Sequence, residues 1–207
     1  MGTFLALSAV VGKTKDDVAN SLKHYAESVG GGLQKRNDIN SDIPNCCIIE
    51  EASGNTSVLY PCNYFEWDNS SEFISKELNA AVFSFHIHDG DLWMYILYHN
   101  GKTVDQFNPI PDCWDGNISD EEIAEWKGNA QTIAAYMPSI KISDIDKYLV
   151  RWDLETRMKA YPQDEFAQED WQMVDFMDKL KLPYPLDEKG NHKGDTYKLW
   201  TRELKLV

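Results

Sequence analysis

Two histidines two residues apart, His86 and His88, with Asp91 three positions further on, are the side chains best spaced for chemistry in this sequence. In an extended strand residues i and i+2 project from one face, so both imidazoles can approach a single metal ion. Asp91 follows Asp89-Gly90, a dipeptide favoured in two-residue hairpin turns, and is expected across from His88 as a third ligand. Zinc or a similar divalent cation is what such a set would hold; no other cofactor is expected. The same face would carry Trp93 and Tyr95, however, and an amphipathic layer covered by helices accounts for all five side chains without a metal.

Other chemistry fares worse. Gly12-Lys13-Thr14 has the ending of a phosphate-binding loop, but the required glycine five positions earlier is Leu7, inside an apolar run. Ser84 shares a strand face with His86, yet no G-x-S-x-G turn surrounds it to supply an exposed nucleophile and an oxyanion hole. The catalytic residues of any enzyme are therefore unknown from sequence, and the balance leans away from an enzyme. The four cysteines, Cys46, Cys47, Cys62 and Cys113, show no C-x-x-C spacing and read as reduced thiols of a cytoplasmic protein.

Charge offers a different kind of site. The 207 residues carry 34 acidic against 20 basic side chains, a net charge of −14. Such a field repels nucleic acid and anionic membranes and attracts basic partners. The excess concentrates in residues 111–180, where 16 acidic residues meet 7 basic ones. Within it Asp115, Asp120, Glu121 and Glu122 crowd around Trp114, an aromatic of the type that anchors protein interfaces. The bland explanation is a solvated helical face. The seven tryptophans, five of them after residue 110, are likewise expected mainly in the core.

The elements that must position these residues follow from periodicity. Phe4–Val11 is apolar, lacks a preceding cation and is too short to cross a bilayer, so it reads as a first strand. Thr14 precedes Asp16 and Asp17 as a helix cap, and Val18, Leu22, Ala26 and Val29 recur at helical spacing. Strands are expected near 46–51 and 56–60, and a helix near 70–79 that turns Phe73, Ile74 and Leu78 inward. Across 82–107 a three-stranded meander is expected, turning at Asp89-Gly90 and Asn100-Gly101. Its two-residue first loop would put Phe83, Phe85, Ile87, Leu92, Met94 and Ile96 on the core face. A three-residue second loop with Gly101 as a bulge would set Asp105 opposite Tyr95 and Phe107 opposite Trp93. After Pro109 and Pro111 the pattern becomes helical, with a capping box at Ser119–Glu122 and a last strand in 196–207.

The expected fold is α+β: a mostly antiparallel sheet with two helices on one face, followed by a helix-rich C-terminal subdomain packed against it. The division falls at about residue 110, between an α+β part (1–110) and an acidic helical part (111–207), within what can be one continuous domain. The function this favours is capture of a basic protein by a non-enzymatic, inhibitor- or immunity-like protein whose acidic surface mimics the charge of nucleic acid. The alternative is a small enzyme or a ligand- or metal-binding protein using the His86/His88/Asp91 face. An open cleft at that face, rather than a sealing helix, would speak for the alternative.

Overall fold

The computed structural model describes residues 4–36, 46–89, 92–113, 117–152 and 170–202. They form a mixed α+β protein with one open, eight-stranded antiparallel sheet and six α-helices. The strands are β1 (Leu5–Val10), β2 (Gly32–Lys35), β3 (Cys46–Ala52), β4 (Asn55–Leu59), β5 (Ala81–His88), β6 (Leu92–His99), β7 (Lys102–Phe107) and β8 (Asp195–Trp200). In space they run β2-β8-β3-β4-β1-β5-β6-β7. Helices α1 (Lys15–Ser28) and α2 (Trp67–Glu77) share one apolar cluster with one face of this sheet. Residues of α4 (Ala130–Tyr136), α5 (Ile142–Ile145) and α6 (Asp170–Lys179) join the cluster on the other. The short α3 (Asp120–Glu125) buries no side chain. Among the described residues no helix is long and apolar enough to cross a membrane.

Local chemistry explains the first helix. Thr14 accepts from the Asp17 amide while the Asp17 carboxylate accepts from the Thr14 amide, closing a capping box. Val18, Leu22 and Ala26 are fully buried along one stripe. Helix α2 is unlike this. It turns Ser70, Ser71 and Ser75 inward beside Ile74, and small side chains let the helix lie close on β1 and β5. The hydroxyls are matched: Ser8 lies 2.7 Å from both Ser71 and Tyr60, and Ser70 pairs with Tyr64. Buried hydroxyls so satisfied avoid the roughly 1–3 kcal/mol penalty of an orphaned polar group.

The β5–β6 hairpin departs from its expected register by one residue. His88 pairs with Leu92, Ile87 with Trp93 and Phe85 with Tyr95, so three residues rather than two separate the paired ends. Trp93, Tyr95 and Leu97, all fully buried, therefore join Phe83, Phe85 and Ile87. Met94 and Ile96 are half-buried opposite His86 and Ser84. The physical reason is aromatic payload: the larger rings gain more by burial than Met94 and Ile96 would, while Leu92 is buried as expected. Their polar tips are also satisfied, Trp93 Nε1 donating to Gln172 at 2.6 Å and Tyr95 Oη to Asp105 at 2.6 Å.

The second turn differs too. His99 and Lys102 flank a two-residue Asn100-Gly101 turn, whose φ values of 52° and 69° suit the tight hairpin type. The irregularity sits inside the strand instead, between Leu97 and Tyr98, and pairs Asp105 with Leu97 and Phe107 with Tyr95. Asp105 thus points into the layer, where burial pushes its carboxyl up while the Tyr95 hydroxyl and the Asn129 amide oppose that.

Candidate functional site

The residues singled out in the sequence fall in two places. Asp91, Trp114 and Asp115 lie outside the described residues. His86 and His88 do share a face of β5, their ring centroids 6.0 Å apart at 85°. Among the described residues no three His, Cys, Asp or Glu side chains gather as metal ligands would. Trp93 and Tyr95, expected beside the histidines, are on the opposite face of the sheet, as the corrected register requires.

What surrounds His86 instead is an aromatic row from three separate segments. Trp67, at the start of α2, lies over the His86 ring at 4.8 Å and 35°. Phe65 lies 6.2 Å from Trp67, and Phe4 meets His88 edge-on at 4.8 Å. The placement has local causes. Tyr64 is anchored inward by stacking on Tyr60 at 4.8 Å and by its bond to Ser70. Its amide also closes a turn onto the Pro61 carbonyl. The next residue, Phe65, is thrown outward and stays 74% exposed. On the other side β1 pairs Ala6 with His86 and Leu5 with Ile87, which brings Phe4 to the same rim.

These segments enclose a cleft of about 360 Å³, with Pro61, Cys62 and Tyr64 along its wall and His86 at its polar point. None of its lining residues bears a formal charge at neutral pH. Burial, with a smaller contribution from His88, holds the His86 imidazole down at about 4, so it is neutral in ordinary buffers. The sequence pattern showed the histidine pair but not Phe4, Cys62, Phe65 or Trp67. The outward Phe65 beside a proline-initiated turn was the one available hint.

Behind this row Asp68 accepts from Ser84 Oγ at 2.7 Å. Burial raises its carboxyl above the ordinary value of 3.8, with Ser84 opposing. A raised folded value means that the folded state holds this proton more tightly than the unfolded chain. The contribution to stability is then complete below 3.8 and is lost as the pH rises through the raised value. Asp68→Asn keeps an acceptor for Ser84 and removes this dependence. The difference in stability between variant and parent should shift in favour of the variant as the pH rises above 4. Urea titrations at pH 3.5 and pH 7 measure it, and a pH-independent difference would contradict the assignment.

The acidic candidate is α3. Ser119 accepts from the Glu122 amide while the Glu122 carboxylate accepts from the Ser119 amide, so Glu122 is committed to the cap. The segment after the helix is clipped to the end of β7, with the Asn108 amide on the Trp126 carbonyl and the Gly128 amide on that of Gln106. Asp120, Glu121 and Glu125 remain exposed, and no ion pair or hydrogen bond ties their carboxylates to another described residue. Nearby Asp112 is different, held by Arg151 at 2.7 Å.

A larger cavity, about 640 Å³, runs beside α6 and the 184–193 loop. It mixes Asp175, Asp178 and Glu188 with Lys189 and Lys193. Lys179 pairs with Asp175 at 3.1 Å, and Asp187 is consumed by the Lys189 and Asn191 amides of its own loop. Val174, Tyr184 and Leu186 supply its apolar part, so its lining mixes both charge signs with apolar side chains and singles out no one ligand chemistry. Comparison with protein-family models, with curated proteins and with solved structures finds no match.

Proposed function

We propose that the chain is a non-enzymatic binding protein that captures a basic protein partner on the acidic surface of its helix-rich part, 111–207. The observation that carries this is α3. It spends a well-formed capping box on a helix with no buried side chain, and it holds three exposed, unmatched carboxylates within six residues. Glu121 and Glu125, four residues apart, repel one another and weaken the helix by a few tenths of a kcal/mol. A cationic partner removes that repulsion on binding. The chain-wide charge of −14 would steer such a partner over distances that screening limits to about 8 Å at physiological ionic strength.

Affinity capture from native cell extract, followed by binding kinetics with the purified partner, tests this. The triple variant Asp120→Asn, Glu121→Gln, Glu125→Gln leaves Glu122 in its cap. It should slow association about tenfold and change dissociation less than about twofold, because rim charges act on encounter. Added salt should slow the parent more steeply than the variant, which keeps the rest of the chain's negative charge. Recovery of only acidic or neutral proteins, or association unaffected by both salt and the triple change, would defeat the reading.

A further inference from the structure

We infer that the cleft between the start of β1, the 61–66 segment and α2 is a binding site for a neutral aromatic small molecule that hydrogen-bonds the His86 imidazole. This site is separate from the acidic surface and does not depend on it.

Four observations converge. First, on a chain with a net charge of −14 this cleft is lined without any Asp, Glu, Lys or Arg. An ion entering it would lose its hydration and find no counter-charge, so the lining selects against charged ligands. Second, the rim holds two large rings in solvent, Phe4 at 46% and Phe65 at 74% exposure. Aromatic side chains left so open beside an apolar hollow mark a recognition surface. With Trp67 tilted over His86, the walls suit a flat aromatic guest lying against ring faces and edges.

Third, the polar capacity of the cleft is concentrated at one place. The Tyr64 hydroxyl is already engaged by Ser70, whereas no hydrogen bond joins the His86 ring nitrogens to another described residue. A neutral imidazole offers one donor and one acceptor, so the guest carries a single hydroxyl, amine or carbonyl to meet it. Fourth, the volume of about 360 Å³ lies at the lower end of the roughly 300–1,000 Å³ of small-molecule pockets. Nine residues line it, whereas a standard protein interface uses about 20–30 residues on each side. That favours a small guest over a second copy of the chain or a protein partner.

N-phenylnaphthylamine, a neutral dye of a naphthyl and a phenyl group joined by one N–H, is the probe, and its sulfonated relative anilinonaphthalenesulfonate is the charged control. The intact protein should bind the neutral dye saturably at one site, with affinity at least about tenfold above that for the sulfonate. Phe65→Ser should weaken it about fivefold or more without moving the thermal melt, since Phe65 is mostly exposed. The dye should also slow alkylation of Cys62 in the cleft wall and leave that of Cys113, exposed elsewhere, unchanged. Non-saturable dye binding, equal affinity for the sulfonate, or equal binding by Phe65→Ser would overturn the inference. So would concentration-dependent dimerisation that Phe65→Ser abolishes, which would assign the cleft to a second copy instead.

Discussion

Truncating Trp93 to alanine is expected to destabilise the protein by about 3–5 kcal/mol, whereas Met94→Ala, one residue along, is expected to cost only about 1–2 kcal/mol. The indole is fully buried at the centre of an aromatic cluster, 5.0 Å from Phe107 and 5.2 Å from Phe176. Its loss removes the transfer free energy of the ring and leaves a cavity that Phe107 and Phe176, held by further rings, are poorly placed to fill. It also breaks the bond to Gln172 on α6, one of the ties between the sheet and the helices on that face. Met94 is half-buried and bonds nothing through its side chain, so its truncation leaves a gap that solvent or neighbours can enter. The comparison tests the hairpin register itself. With a two-residue loop the ranking would be reversed, Met94 being central and Trp93 peripheral. Equilibrium urea unfolding of the two variants decides it, and a larger loss for Met94→Ala would refute the β5–β6 pairing.

That register was the least legible part of the best-patterned segment, for a definite reason. Alternation assigns faces only when one face is polar, and here Leu92, Met94 and Ile96 compete with Trp93, Tyr95 and Leu97. Both sets are apolar enough to form a core, and the turn dipeptide Asp89-Gly90 favoured the wrong loop length. By contrast α1 could be read from fourteen consecutive residues, because its cap, its acidic first turn and its apolar stripe are all local. The place of β8 could not be read at all. Its partners β2 and β3 lie some 150 residues upstream, and nothing in a six-residue strand encodes which neighbours it joins. The cleft was half legible. His86 and His88 announced a strand face of interest, but the aromatic walls come from residues 4 and 61–67, which only the sheet order brings to β5. His86, one of the two expected ligands, is the polar corner of an apolar hollow, with the Trp67 ring over its own.

The insertion of β8 between β2 and β3 makes its own prediction, and Gly194 is where it can be tested. A Cβ built on Gly194 would stand 2.3 Å from the Ile49 carbonyl oxygen and 2.6 Å from its carbon. Both are backbone atoms of β3, which cannot swing aside as a flexible side chain would. Gly194→Ala must therefore push the start of β8 away from β3, where Asp195 pairs with Ile49 and Thr196 with Ile48. The Asp195 carboxylate, which receives Lys15 at 2.6 Å and Lys35 at 2.9 Å, would be displaced with it. Overpacking against an unyielding backbone costs about 1–3 kcal/mol and more where no relaxation is open, so a loss of about 3 kcal/mol is expected. Gly190→Ala in the preceding turn is the control: its φ of 78° disfavours alanine, but nothing lies within 4 Å of the new methyl. That change should cost about 1 kcal/mol, from backbone conformation alone. Amide exchange adds a local readout, because Gly194→Ala should expose β8 and the β2 edge it carries while β5 and β6 stay protected. Equal losses for the two glycine variants, or unchanged protection of β8, would show that this strand does not lie against β3.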